Sequence, residues 1–186
     1  MPDPYRLELN VDRFYLKEVL RALLHSIIYH RSFSMTRPYE VNLEALDIRL
    51  DDPEIEGQVD EKISTFARTL DSYTGLVKGQ IDVMFFEKRA KKYWFTKAEE
   101  EVCWEQWTLA VNVTLARSER EQIESRKALE RQLLNCLFKI SGKTNEEKDH
   151  IPPITNQDTY PFPFQIVTTS ASETSWTSVL KSYLPS

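Results

Sequence analysis

The chain has 186 residues, 41% of them hydrophobic and 28% charged, and carries a formal net charge of −5. That is enough chain for one domain with a sizeable core. The balance excludes disordered and collagen-like classes and argues against a surface given over to nucleic acid.

The two cysteines, Cys103 and Cys136, form no CxxC pair and no disulfide framework, so a reduced, intracellular setting is expected. No apolar run approaches the ~20 residues that a membrane helix needs. Met1 to Arg6 lacks the basic-then-apolar layout of a signal peptide. The sequon Asn112-Val113-Thr114 is therefore expected to be silent, because glycosylation requires secretion.

Tyr5 to Val11 alternates polar and apolar residues and reads as a strand, with Asp12 placed to cap the helix after it. Leu16, Val19, Leu20, Leu23, Leu24, Ile27 and Ile28 then make one apolar stripe on a helix of about five turns. Lys17, Arg21 and His25 fall on its opposite face, and Arg31 comes after the stripe, where positive charge suits the helix dipole. Ser32 to Asn42 reads as loop, and Ala45 to Leu50 as a short strand. Asp51-Asp52-Pro53-Glu54 starts a second helix, with Ile55, Val59, Ile63, Phe66 and Leu70 on its apolar side and Gly75 ending its trailing turn.

Two longer strands come next. One alternates through Ile81, Val83 and Phe85, the other through Trp107, Leu109, Val111, Val113 and Leu115. Lys88 to Val102 reads as a polar connection, long for a hairpin. Ser118-Glu119-Arg120-Glu121 is a capping box opening a third helix to about Ser141, with Gly142 placed to close it. Leu129, Leu133, Leu137 and Ile140, joined by Leu134 and Phe138, form its expected buried stripe. Phe162 to Thr169, entered through Pro161 and Pro163, reads as a last strand, the prolines suiting a sheet edge or a strand start better than a sheet centre. Ser172 or Ser175 is placed to cap a short final helix carrying Trp176, Val179, Leu180 and Tyr183. Three main helices and a small, mostly antiparallel sheet make an α+β domain spanning residues 1–186, with no internal repeat.

Catalytic chemistry is absent from the pattern. The four glycines form no phosphate-cradling loop, and His25 and His30, five apart, diverge on a helix. Cys103 beside Trp104 reads as a packed thiol, and Glu99-Glu100-Glu101 as a solubilising run. No cofactor or metal is expected, and the chain reads as a non-enzyme. The segment that stands out is Lys88-Arg89-Ala90-Lys91-Lys92, with Tyr93-Trp94-Phe95 directly after it. The aromatics can fold onto the core, form an exposed finger for a protein partner, or sit at a lipid surface beneath the basic run. Nucleic acid is a fourth reading. The mixed charges from Glu119 to Arg131 suit a solvated helix face or the rim of an interface.

Four stretches, in order along the chain, are similar to the autophagy-related protein 101 family of HORMA-domain proteins. They are Leu24 to Ser32, Gly79 to Lys88, Trp104 to Thr108 together with Val111 and Val113, and Phe164 to Ile166. The resemblance implies a HORMA fold, with a three-stranded antiparallel sheet, three main helices packed on it and short terminal segments. It implies a cytoplasmic, non-catalytic adaptor that forms a heterodimer with the HORMA domain of autophagy-related protein 13 in the autophagy-initiating kinase complex. It further implies recruitment to the phagophore assembly site, with an aromatic finger capturing downstream factors. Tyr93, Trp94 and Phe95 match that finger, and His30, Arg31 and the charged face of the third helix are the expected heterodimer surface. The competing reading is a spindle-checkpoint type of HORMA adaptor that clasps a peptide as an added strand.

Overall fold

Caps and alternation place most of the elements. The computed structural model describes residues 2–32, 50, 52–71, 73, 75–92, 97–154 and 162–170; the side chains of residues 90–92, 97–99 and 170 are outside that description. Strand β1, Tyr5–Asp12, buries Leu7, Leu9 and Val11 and exposes the residues between. Asp12 closes it as expected: its carboxylate accepts the Phe14 N–H at 2.8 Å and the Ala116 N–H at 2.6 Å, opening a 3-10 turn over Arg13–Tyr15. Helix α1 spans Leu16–Ser32. Helix α2, Pro53–Leu70, starts where the sequence indicates, with Asp52 accepting the Glu54 and Ile55 N–H groups and Pro53 at the first position. It ends at Leu70, five residues ahead of Gly75.

Strands β2, Val77–Lys92, and β3, Lys97–Thr114, form an antiparallel hairpin; α3 spans Glu119–Glu146 and β4 spans Phe164–Ser170. The sheet order is β1-β3-β2-β4. β4 runs antiparallel to β2, but β1 runs parallel to β3. The sheet is thus four-stranded and mixed, where a three-stranded antiparallel one was expected. Alternation reveals that a strand exists but carries no sign of its direction. From β1 the chain crosses through α1 and α2 to β2, and the hairpin back to β3 completes the long connection that a parallel pair requires. The inward residues of all four strands and the buried stripes of the three helices share one core cluster.

Three further expectations are corrected. His25 is fully buried, not on an outer face, and its Nδ1 accepts the Leu50 N–H at 3.3 Å. α1 packs against α2 and α3 as well as the core, so its polar side is covered in part: Lys17 stays exposed, while Arg21 bonds Asp60 of α2 at 2.8 Å. Of the stretch expected to be a polar connection, residues 88–92 and 97–102 are strand. Lys88 faces Glu101 and Arg89 faces Glu100 across the ladder, and the Arg89 guanidinium pairs with Glu87 on its own strand. Gly142 does not end α3, which continues to Glu146 with Thr144 buried. The strand expected from Ala45 lies, up to residue 49, outside the described residues, as do the loop from 33 to 42 and the final helix.

Candidate protein-interaction site

The end of α1 carries the two residues expected at a partner surface, and the structure separates them. His30 is half-buried and stacks edge-on with Tyr29, whose side chain is exposed. Arg31 is interior, at 1% exposure, and meets Glu105 of β3, also at 1%. Its Nε donates to both Glu105 oxygens at 2.9 Å, and a second guanidinium nitrogen lies 2.8 Å from Oε2. The rest of the fork donates to the Thr144 carbonyl at 3.1 Å and the Glu147 carbonyl at 3.2 Å. One guanidinium therefore joins α1, the sheet and the end of α3, as its planar fork allows. Trp107 Nε1 donates to Glu105 at 2.5 Å, and His150 Nε2 lies 2.7 Å from the other carboxylate oxygen. A fully buried ion pair persists only with its remaining hydrogen-bond capacity filled, and here it is.

The same end of α3 is tied a second time. The Tyr5 hydroxyl donates to Glu147 at 2.5 Å, and Lys143 reaches Glu147 at 2.6 Å. Lys143 first, then Tyr5, hold the Glu147 carboxyl below its ordinary value, while Glu147 lifts Lys143. Burial, then the bond to Glu147, pushes the Tyr5 phenol up. His30 is held below 6.5, by burial first and then by the Arg31 charge.

A bulge explains how Glu105 comes to face inward. Phe85 pairs with Glu105 and Phe86 with Cys103, so Trp104 is the extra residue on β3. Trp104 is buried against Phe85, Phe162 and His150. Glu105 then keeps the inward phase of Trp107, Leu109 and Val111. That phase was visible in the alternation, and Arg31 continues the spacing of Leu24 and Ile28 on α1. An inward acid and an inward base were the available signal.

The outer face of α3 differs from its expected pattern. Leu129, Leu133, Cys136, Ile140 and Thr144 form the buried stripe, with Leu137 partly buried. Leu134 and Phe138 are instead 46% and 68% exposed, and Ile123 is 52% exposed. Leu134 and Phe138 are one turn apart, and Ile123 lies three turns before Leu134, so they line one side of the helix. Two i,i+4 ion pairs, Arg120–Glu124 and Arg126–Glu130, border them. Large apolar side chains aligned among charges have the make-up of an interface centre and rim.

Tyr93, Trp94 and Phe95 lie outside the described residues, between Lys92 and Lys97, which are partners in the ladder. β4 pairs with β2 only up to Phe85, and β1 pairs with β3 only from Trp107. The hairpin therefore runs on from the four-stranded part as a ribbon of about 20 Å at ~3.3 Å per residue.

On the sheet's other face, Asp82 is buried and accepts from Thr108, Gln106 and Gln80. Burial raises its pKa against those three bonds. Burial likewise raises both thiols, leaving Cys103 and Cys136 protonated at neutral pH and poor nucleophiles. Among the described residues no group of three or more His, Cys, Asp or Glu is placed to hold a metal, and no helix is long and apolar enough to cross a membrane.

Comparison with known proteins agrees with the ordered motifs. The family model described as autophagy-related protein 101 matches residues 8–158. The chain is 34% identical to autophagy-related protein 101 of Arabidopsis thaliana, over 91% of this chain and 87% of that one. It is 30% identical to the Schizosaccharomyces pombe protein of the same name, over 97% and 94%. It is 22% identical to the human one, over 81% and 75%. The chain belongs to the autophagy-related protein 101 family.

Proposed function

We propose that this chain is a non-catalytic adaptor of autophagy initiation, built on a HORMA domain, that pairs with and stabilises the HORMA domain of autophagy-related protein 13. Family membership supports the autophagy role. The observation that carries the pairing is the row of exposed apolar side chains on α3, Leu134 and Phe138 above all, taken together with the exposed Tyr29 and half-buried His30 at the end of α1. Arg31 contributes from beneath, since its own side chain is enclosed. A constitutive pair buries about 1,200 Å² or more, with a few large side chains carrying most of the energy. Tyr93, Trp94 and Phe95 are the proposed finger for downstream factors, within the kinase complex recruited from the cytoplasm to the phagophore assembly site.

Co-purification and light scattering with the autophagy-related protein 13 HORMA domain test the pairing, with a one-to-one complex expected. Phe138→Ser removes a burial worth about 1.5–3 kcal/mol, so its Kd should rise tenfold or more. Trp94→Ala with Phe95→Ala should leave pairing intact and abolish downstream capture. Two folded proteins that form no complex would overturn the reading.

A further inference from the structure

Resting on that pairing surface, we propose that Arg31 is its positioning residue. Arg31 touches no partner; it sets the geometry between the two elements that do. The helices that bear the surface meet the rest of the fold differently. α1 is enclosed by α2, α3 and the sheet core, whereas α3 packs on the edge strand β1 and on α1. The last turns of α3, past Ile140, contain Gly142, whose missing side chain weakens a helix interior. Around that glycine no atom lies within 4 Å of where a Cβ would stand, and past Ile140 only Thr144 of the helix is buried.

Polar bonds hold it as well. Arg31 donates to the carbonyls of Thr144 and Glu147, two of the acceptors that a helix end leaves without intrahelical partners. Because Arg31 is anchored on Glu105 of the central strand β3, α3's end is fixed to the sheet and to α1 at once. Tyr5 adds the second tie through Glu147. Phe138 lies six residues ahead of Thr144, about 9 Å along the helix axis. His30 is next to Arg31 in α1. Freeing this end thus lets the α3 half of the surface swing relative to the α1 half. Lysine keeps the charge opposite Glu105 but lacks the fork that reaches two carbonyls as well.

The experiment compares Arg31→Lys, Tyr5→Phe and Ile63→Ala, the last a buried position of α2, a helix that barely meets α3. Each is read by Tm, by amide exchange of residues 139–147 and by Kd for the partner HORMA domain. Exchange across 139–147 should quicken about tenfold in Arg31→Lys, less in Tyr5→Phe, and not in Ile63→Ala. Kd should rise about tenfold in Arg31→Lys at a Tm loss that leaves Ile63→Ala near wild-type affinity, and adding Gly142→Ala should restore part of it. Equal Kd changes at matched Tm loss would overturn the proposal, as would unchanged exchange in Arg31→Lys. If Arg31→Lys fails to fold, Tyr5→Phe decides by the same two readouts. If the wild-type chain does not pair at all, the pairing reading fails, while the exchange comparison still decides whether Arg31 fixes α3.

Discussion

Replacing Glu105 by Gln tests the buried charge cluster most directly. Glu105 receives Arg31, Trp107 and His150 on two oxygens at 1% exposure. Glutamine keeps one acceptor, turns an NH₂ toward donors and leaves the guanidinium's charge uncompensated. Breaking one side of a buried pair costs about 3–5 kcal/mol. At ~2.1 cal/mol/K of unfolding entropy per residue, a chain of this length loses about 8–13 °C of Tm. Arg120, whose pair with Glu124 is exposed, gives the contrast: Arg120→Ala should cost only about 0.3–0.5 kcal/mol, roughly 1 °C. Calorimetry on both variants at one pH and salt reads the difference. A Glu105→Gln shift no larger than that of Arg120→Ala would refute the enclosed, mutually dependent pair. Arg31→Met combined with Glu105→Leu should recover much of the loss, because no unpaired charge then remains inside.

Gly79→Ala should destabilise by about 1–3 kcal/mol in denaturant titration, since its Cβ would clash with Cζ of the fully buried Phe66. Gly142→Ala should stabilise by about 0.5–1 kcal/mol, because the added methyl meets open space in a helix interior. The depressed His30 gives a pH dependence of known sign. The folded state binds this proton less readily than the unfolded chain, so His30's contribution is complete above 6.5 and declines as pH falls below it. Tm should therefore fall between about pH 7.5 and pH 5.5, and His30→Gln should flatten that decline; an identical slope in the variant would remove His30 as its source.

The chain's local grammar is written openly. Asp12, Asp52 and Ser118 are short polar side chains ahead of apolar periodicity, and each accepts the backbone N–H groups that its position predicts. Alternation located β1 and the inner halves of β2 and β3, and the proline-flanked run from Phe164 became an edge strand. These features depend on neighbours within about four residues, so the sequence holds all of their physics. The ordered motifs likewise pointed to the family on residues alone.

Elsewhere the deciding contacts are distant in sequence. β1 runs parallel to β3 because the chain returns from α1 and α2 as β2 and the hairpin then reverses it, and His25 is buried with its ring bonded to Leu50, 25 residues away. In the ribbon Lys88 and Arg89 stand opposite Glu101 and Glu100, a placement invisible until the register is set. α3 continues past Gly142 because its end is held from Arg31 and Tyr5, which are 113 and 142 residues away from Thr144 and Glu147. The same phase of α3 leaves Leu134 and Phe138 outside. Caps and periods were thus settled by the sequence itself. Strand direction, the interior place of Arg31 and the exposure of Leu134 and Phe138 were settled only when α1, α3 and β3 came together.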